Sequence, residues 1–378
     1  MSCRRRHIFP GWALLGLLVP WISSGGGQVD VKTIDGIKHV INPAKPIKGL
    51  VKLELEKVRE IDPYAISDLN LRFMYCARAD DGTVVLFDPN YGEAGRFSPE
   101  GKFLGRLFSK GQGPGEFSAG VFIYPRPGGF FATNIFSKIV KFDKNGKFIE
   151  EWRIPNAAFL ILDEDSFLDE IRGPDIRTVR LIRTPHDKQD ARPPVVLFEA
   201  KETWMHRPSD GSSRAFGNVW VSPNILETYD PETKRIYLAL NKTISVRVLD
   251  SGGKALFIID KPHTPIKLTR KEKENLLRWK DAADNWKIDV CPDHLVALRD
   301  LAVMPGGRLA AFRFVSPDKA EIDVFDAEGK FYYTMILPDG LSLREISFFT
   351  SGIAGMEYRD DTTAYVEYRI KNLPDIFR

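Results

Sequence analysis

Residues 140–148 read VKFDKNGKF, an alternating run followed by a polar turn that ends in Gly-Lys and by the start of a second apolar run. Three other segments repeat this pattern: GRFSPEGKF at 95–103, VRVLDSGGK at 246–254 and IDVFDAEGKF at 322–331. Alternating runs that are joined by a short glycine-containing turn are typical of β-hairpins. The chain therefore contains four related hairpins, and their spacing indicates the fold class.

The turn glycines of the four copies are separated by 45, 107 and 76 residues, and lie at Gly101, Gly146, Gly253 and Gly329. A period of about 40–50 residues with four strands per unit is typical of β-propellers. The longest interval fits two units, of which one has lost the motif, and the last interval fits one unit plus an insertion. The spacing predicts an all-β, six-bladed β-propeller of four-stranded antiparallel blades.

Two segments of the chain complete this prediction. The last group of strands, within 345–370, has three members, while a spare alternating strand lies at Lys52–Val58. We expect the N-terminal strand to complete the last blade, because closure leaves no open edge in the ring.

The degenerate copy is blade three, at 157–199. A helical insert is predicted at about 268–287, where Thr269 and Glu272 have the spacing of a capping box.

The first residues have the composition of a secretory signal peptide. Three arginines at 4–6 precede an apolar run at 12–22 and small residues at 23–27. We expect a signal peptide at 1–28, an N-terminal arm at 29–49 and the propeller at 50–378. An uncleaved membrane anchor is the weaker alternative, because the apolar run is too short to span a bilayer comfortably. Cleavage would remove this run, so no stable membrane span is expected afterwards. The predicted location is therefore the periplasm or the extracellular space.

Charge and cysteine content narrow the classes of partner. Cleavage would remove three arginines from a chain of formal net charge +3 and leave a charge of zero. Binding to phosphates needs a clustered positive excess, so nucleic acid is not an expected partner. The two remaining cysteines, Cys76 and Cys291, fall in predicted blades that are not neighbours. We therefore expect two separate buried thiols, although an oxidising compartment would permit a disulfide.

The segment GQGPGEF at 111–117 closes blade one. Together with the hairpins and with IDGIKHVINP at 34–43, it resembles the exported bacterial six-bladed β-propeller family, which is related to NHL-repeat propellers. The resemblance covers about 30–375 and implies the fold; it implies no particular activity, because a common fold serves many functions. The glycines of the motif allow positive φ and close backbone approach. We expect Glu116 to accept backbone N–H bonds in this turn, and Phe117 to plug the space between blades one and two.

One face of the predicted propeller carries most of the long loops. Blade-to-blade connections share a face with the loops between second and third strands, and this face receives the 111–116 loop, the 201–217 loop and the helical insert. Long insertions on one face usually mark the functional side. The candidate ligand-binding residues on this face are Asn134, in a separate loop at 134–137, and Trp204, His206 and Arg207 of the 201–217 loop.

Three predicted innermost strands begin with the same Leu-Arg pair, which places Arg72, Arg299 and Arg344 at equivalent positions. Innermost strands line the central channel, so these arginines are candidates to converge on an anionic ligand. Asp300 is a further candidate ligand-binding residue. Alternatively, the arginines pair with Asp300, Glu345 or neighbouring blades as structural ties.

These features favour a non-catalytic binding protein that recognises a protein, peptide or glycan on the loop-rich face, with no cofactor. The alternative is a metal-dependent hydrolase or lyase with its site in the channel. Calcium would need oxygen ligands, for which Asn134 and Asp300 are candidates. Zinc would need several converging histidines, of which only His206 and His294 lie near the right face. A structural component of the cell envelope is a third alternative, and the sequence leaves open whether the protein is an enzyme.

Overall fold

The computed structural model describes residues 28–66, 69, 71, 74–118, 120–134, 138–154, 158–172, 176–183, 193–201, 205–206, 214–215, 223–278, 292–359 and 362–373. The predicted signal peptide, except for its last residue, lies outside the described residues, as does much of the predicted helical insert. The helix α1 is described over Arg270–Arg278, between blades four and five. Glu272 accepts a hydrogen bond from the Thr269 backbone N–H at 2.7 Å, as the capping-box spacing predicts.

The strands follow the chain in groups. Four precede the first blade: β1 (Asp30–Ile34), β2 (Ile37–Ile41), β3 (Leu50–Lys52) and β4 (Leu55–Ile61). Blade one contains β5 (Tyr75–Arg78), β6 (Val84–Asp88), β7 (Glu93–Phe97) and β8 (Phe103–Phe108). Blade two contains β9 (Val121–Arg126), β10 (Gly129–Asn134), β11 (Lys138–Asp143) and β12 (Phe148–Arg153). Blade three contains β13 (Ala158–Ile161), β14 (Ser166–Arg172), β15 (Ile176–Arg183) and β16 (Val195–Lys201).

A short hairpin follows blade three and consists of β17 (Met205–His206) and β18 (Arg214–Ala215). Blade four contains β19 (Ile225–Asp230), β20 (Arg235–Leu240), β21 (Ile244–Asp250) and β22 (Ala255–Lys261). Blade five contains β23 (Leu298–Met304), β24 (Arg308–Ser316), β25 (Lys319–Phe325) and β26 (Phe331–Ile336). Blade six begins with β27 (Leu343–Phe349), β28 (Gly352–Tyr358) and β29 (Thr363–Ile370).

These sheets form a closed ring. The strands that come first in each blade contact one another in order around the ring, and β27 of blade six contacts β5 of blade one. Within each blade the consecutive strands pair antiparallel. The structure therefore confirms the predicted six-bladed propeller of four-stranded blades.

The N-terminal strands join three different blades. β4 pairs antiparallel with β29, with Leu55 opposite Ile370, and is the fourth strand of the sheet of blade six. The sequence analysis placed one strand at Lys52–Val58, whereas the structure divides this region between the end of β3 and the start of β4. β3 pairs in parallel with β26 on the outer edge of blade five, and β2 pairs in parallel with β22 on the outer edge of blade four. The arm therefore covers the edges of two blades and satisfies backbone groups that an open edge would leave unpaired.

The repeated motif forms the same turn in each copy. Asp143 Oδ1 accepts hydrogen bonds from the backbone N–H groups of Asn145 and Lys147, both at 2.8 Å. The turn glycines have φ between +75° and +87°, a conformation that favours glycine. A Cβ atom at Gly329 would lie 2.9 Å from the Phe257 side chain of blade four, so this glycine also permits close contact between blades. In the other three copies, the residues that make the equivalent pair of bonds are Ser98, Asp250 and Asp326.

The GQGPGEF motif closes onto itself as expected. Glu116 accepts a hydrogen bond from the Gly113 backbone N–H at 2.9 Å. Phe117 is buried between blades one and two, where it packs against Phe108. Gly111 is needed for close approach, because a Cβ atom there would lie 2.0 Å from Glu116 Oε2. The motif thus has a structural role at the junction of two blades.

A buried polar cluster joins blade six to blade one. We call Arg59, Arg78, Tyr365 and Glu367 the closing cluster. The Glu367 carboxylate receives the Arg59 guanidinium, the Arg78 Nε–H at 2.9 Å and the Tyr365 hydroxyl at 2.7 Å. Arg59 lies on β4, and its Nη1 also donates to the Ser98 carbonyl group of blade one at 3.0 Å. The cluster thus links the N-terminal strand to both blades at the point where the ring closes.

Candidate functional site

Four charged side chains lie at the loop-rich mouth of the central channel. We call Arg299, Asp300, Arg344 and Glu345 the mouth cluster. They lie at the starts of β23 and β27, which are neighbouring innermost strands. The start of each innermost strand is on the side of the blade-to-blade connections, so the cluster occupies the face on which the sequence analysis expects function.

Both strands are irregular where the cluster lies. In β23, Leu298 is opposite Arg313 and Asp300 is opposite Phe312, so Arg299 is an extra residue in the ladder. In β27, the regular pairing is interrupted in the segment 344–347. A β-bulge redirects side chains and is frequent beside functional sites. The two bulges therefore interrupt, at the mouth cluster, the regular alternation by which successive side chains point to opposite faces of the sheet.

The bulge in β27 holds Glu345 in an unusual conformation. Its φ is +52°, in the left-handed region that non-glycine residues seldom adopt. The facing strand has Gly355 at this level, where an added Cβ atom would lie 2.7 Å from the Arg344 carbonyl oxygen. Gly355 therefore makes room for the bulge. Backbone strain of this kind persists where the surrounding structure enforces it, and it clusters at functional sites.

The mouth cluster makes few contacts within the described part of the protein. Arg299 Nη2 donates to the Leu343 carbonyl group at 3.4 Å, and the Asp300 carboxylate accepts from the Leu301 backbone N–H at 2.8 Å. The Arg344 guanidinium lies over the ring of Tyr358, 4.6 Å from its centroid. These contacts position the side chains but use only a small part of their hydrogen-bonding capacity.

Among the described residues, no member of the mouth cluster forms an ion pair within 4.0 Å. Asp300, Arg344 and Glu345 are exposed to solvent, and Arg299 is partly buried. In this part of the structure, the arginines are therefore not tied to Asp300 or Glu345 by ion pairs. Arg299 does contact the neighbouring blade through its bond to the Leu343 carbonyl group, as the alternative interpretation of the sequence allowed. The described contacts leave most of the guanidinium N–H donors of Arg299 and Arg344 unused.

The enclosed position of the two carboxyl groups changes their acidity. Burial raises the pKa of Glu345 to about 7, and the nearby Asp300 charge adds to this effect while Arg299 and Arg344 oppose it. Burial also raises the pKa of Asp300. Both residues are exposed as a whole, yet the protein atoms around their carboxyl groups disfavour the charged form. We therefore expect Glu345 to change its protonation state near neutral pH.

The innermost strand of blade one lies next to Glu345. Cys76 carries a free thiol, whose sulfur lies 3.7 Å from the Glu345 carbonyl oxygen as a weak donor. Burial raises the pKa of this thiol, so it stays protonated and is not an activated nucleophile. Tyr75 stacks on Phe87, with ring centroids 5.7 Å apart. The sequence analysis expected two separate buried thiols. Cys76 is free and partly buried, and Cys291 lies outside the described residues.

The remaining ligand-binding candidates from the sequence do not join this cluster in the described part of the chain. Asn134 ends β10 in blade two, where its side-chain oxygen accepts from the Lys138 backbone N–H at 3.0 Å. His206 lies in β17, opposite Arg214 of β18. Three candidates lie outside the described residues: Arg72, Trp204 and Arg207.

The metal-ligand candidates are not brought together either. His294, one of the two histidines considered for zinc, forms an isolated β-bridge with Lys267 before blade five. Within the described ranges, no group of three or more His, Cys, Asp and Glu side chains is arranged to hold a metal ion.

The opposite face of the ring is bridged by a structural arginine. Arg126 ends β9, where its guanidinium lies near the rings of Tyr124 and Tyr229. Its Nε donates to the Leu162 carbonyl group at 3.0 Å. These contacts join blades two, three and four near the ends of their innermost strands. The two ends of the channel therefore differ, because Arg126 is committed to internal contacts, whereas the described contacts of the mouth cluster leave its charges free of ion pairs.

Sequence reasoning missed Glu345 and Tyr358 as site residues. The signal for Glu345 is present, since Leu343-Arg344-Glu345 repeats the pattern of Leu298-Arg299-Asp300 at the start of another innermost strand. Tyr358 comes at the end of β28, which runs antiparallel to β27 and returns to the same mouth. Only the pairing of these strands places its ring beside Arg344.

Comparisons with known proteins bear on the fold. No protein-family model matches the chain, and no curated protein matches it. A solved structure of a member of the DUF4221 family from Bacteroides vulgatus is similar with a TM-score of 0.52 and 12% identity, over 85% of this chain and 99% of that chain. A protein from Bacteroides fragilis that was inferred to be exported gives a TM-score of 0.48 and 13% identity, over 88% of this chain and 100% of that chain.

At 12% identity the first of these likenesses shows the fold alone. The class defined by the fold and the mouth cluster is a six-bladed β-propeller with charged side chains at one end of its channel. Among the described residues, no helix is both long enough and apolar enough to cross a membrane.

Proposed function

We propose that this protein is an exported, non-catalytic binding propeller that recognises its ligand at the loop-rich mouth of the central channel. The observation that carries this proposal is the mouth cluster, whose four charged groups form no ion pairs among the described residues. Charged groups that converge at a concave site are characteristic of binding and catalytic sites. The left-handed backbone of Glu345 adds strain of the kind that clusters at such sites.

Export is the second part of the proposal. Its support is the N-terminal sequence, where a basic segment, an apolar run and small residues follow one another within 1–28. We infer a location in the periplasm or outside the cell on this basis. A relationship to NHL-repeat propellers is likewise proposed from the repeated hairpin motif and from GQGPGEF at 111–117.

The ligand classes to test are proteins, peptides and glycans. The probe is a set of immobilised glycans and peptides, incubated with the protein and with its Arg344→Ala variant. We expect at least one probe to retain the protein, and retention to be lost in the variant. Arg369→Ala is the matched control, because Arg369 is an exposed arginine of blade six. Retention that is equal in all three proteins, or absent from the whole set, would contradict the proposal.

A metal-dependent hydrolase or lyase is the second candidate. The observation that favours it is the pair of channel carboxyl groups with raised pKa values, since a general acid or base works best when its pKa lies near the operating pH. The test is metal analysis of the isolated protein and of Asp300→Asn, with thermal unfolding in calcium, zinc or chelator. Stoichiometric metal that raises the midpoint and is lost in the variant would favour this candidate over simple binding.

A further inference from the structure

The chemistry of the mouth cluster restricts the class of ligand that it can bind. This inference rests on the proposed function. The two guanidinium groups offer only donors, in a planar fork that matches a carboxylate. The two carboxyl groups offer acceptors, and a neutral carboxyl group also offers one O–H donor. A complementary ligand therefore needs an anionic group and, close to it, several groups that both donate and accept hydrogen bonds.

The ring of Tyr358 provides a further restriction. One side of this ring is covered by the Arg344 guanidinium at 4.6 Å from the centroid, and the residue is 36% exposed. Tyr75, which is partly buried, lies in the adjacent innermost strand. The mouth thus combines charged groups with aromatic surface. A sugar ring presents hydroxyl groups at its edge and C–H groups on its face, which suits both kinds of surface.

The charge of the cluster favours an acidic sugar over a neutral one. The two arginines carry two positive charges. The Asp300 and Glu345 carboxyl groups oppose them, but the raised pKa values of both carboxyl groups reduce the negative charge that they carry near neutral pH. When Glu345 takes up a proton the cluster becomes more positive, and a bound anion would in turn favour that proton. The titratable and charged groups that face Glu345 are Arg299, Asp300, Arg344, Tyr75, Cys76 and Tyr358.

We propose that the loop-rich mouth binds a carboxylate-bearing saccharide, with Arg299 and Arg344 on the carboxylate and with Asp300 and Glu345 on the neighbouring hydroxyl groups. The two bulges support this arrangement, because they interrupt the ladders of two neighbouring innermost strands at the positions of the cluster. The strained conformation of Glu345 is then retained because it aims a ligand contact.

The test is calorimetric titration of the protein with trigalacturonate and, separately, with the neutral galactose trisaccharide of the same linkage, both in chelator. We expect trigalacturonate to bind and the neutral trisaccharide to bind at least about 10-fold more weakly. Arg299→Ala or Arg344→Ala should weaken the binding of trigalacturonate by about 10- to 100-fold, the cost of losing a charged hydrogen bond. Arg369→Ala should leave it unchanged.

The pH dependence is a second readout that does not require an arginine variant to fold. Trigalacturonate should bind more tightly at pH 6 than at pH 8, and Glu345→Gln should reduce this difference. Equal affinity for the acidic and neutral sugars, no binding of trigalacturonate, or tighter binding at pH 8 would overturn the proposal.

The outcomes also separate this inference from the function on which it rests. If a neutral sugar or a peptide binds and its binding depends on Arg344, the mouth is a binding site but the acidic saccharide is wrong. If no probe depends on the mouth cluster, the binding function at this site is wrong as well.

Discussion

Removing the carboxylate of Glu367 should weaken the ring at its closure. In Glu367→Ala, the Arg59 and Arg78 guanidinium groups lose their shared anion, and the Tyr365 hydroxyl loses its acceptor. The side chains of Arg59 and Arg78 are only 8% and 16% exposed, so water cannot easily replace the carboxylate. Loss of one partner from a buried ion pair costs about 3–5 kcal/mol, because the other charge stays buried without compensation.

Two features of the closing cluster change the expected loss of stability in opposite directions. Arg59 keeps its hydrogen bonds to the carbonyl groups of Gly82 and Ser98, which reduces the loss for that residue. Arg78 also loses its carboxylate partner, which increases the loss of stability. We therefore expect the free energy of unfolding to fall by about 3–5 kcal/mol and the urea midpoint to fall by about 1 M or more.

A matched control lies on the same two strands. Glu56 and Arg369 also connect β4 with β29, but their charged atoms are 3.6 Å apart and their side chains are 46% and 59% exposed. Glu56→Ala should cost about 0–1 kcal/mol, as is usual for exposed ion pairs. The measurement is urea unfolding of both variants and of the unaltered protein. A midpoint for Glu367→Ala no lower than that of Glu56→Ala would refute the argument that buried charge closes the ring.

Three other substitutions test separate parts of the structure. Asn42→Ala should cost about 2–4 kcal/mol in chemical unfolding, since Asn42 accepts from the buried Phe331 N–H at 2.8 Å and donates to the Gly329 carbonyl group at 2.9 Å; a loss below about 1 kcal/mol would contradict a role in docking the arm. Asp326→Ala should cost about 1 kcal/mol, whereas Asp326→Ser should be nearly neutral in the same assay, because serine makes the equivalent bonds in blade one. Glu345→Gln should remove a pH dependence of stability. The folded protein holds the Glu345 carboxyl proton up to about pH 7, whereas the unfolded chain releases it near the ordinary pKa of glutamate. The free energy of unfolding therefore falls as the pH rises between these two values. As the pH rises from 5 to 8, the free energy of unfolding of the variant should increase relative to that of the unaltered protein. Parallel pH profiles of the two proteins would contradict the raised pKa.

The blade count was predictable because its signals are local. A polar residue that bonds two backbone N–H groups, followed by a glycine in the left-handed region, forms its turn from adjacent residues alone. The burial of Phe117 also followed from its place in a recognisable motif. These features can be recognised in a single sequence because they do not depend on which blade is adjacent.

The N-terminal arm was only partly predictable. The dipeptide Asp35-Gly36 signals a two-residue hairpin, and its φ values of +50° and +78° agree with such a turn, so β1 and β2 could have been found from the sequence. Their docking could not be found in this way. His39 lies opposite Ile258, which is distant in the chain, and a parallel pairing on an outer edge leaves no local pattern.

The chain by itself determined the repeat, the turns, the six blades and the arginines at the starts of innermost strands, because each depends on a few neighbouring residues. Only the tertiary structure decided that Arg344 lies over Tyr358, that Glu345 sits in a bulge opposite Gly355, and that no ion pair joins the mouth cluster in the described part of the chain. The physical reason is ring closure. It brings together strand ends that are distant in sequence, and their charges, solvent access and acidity are set by those neighbours.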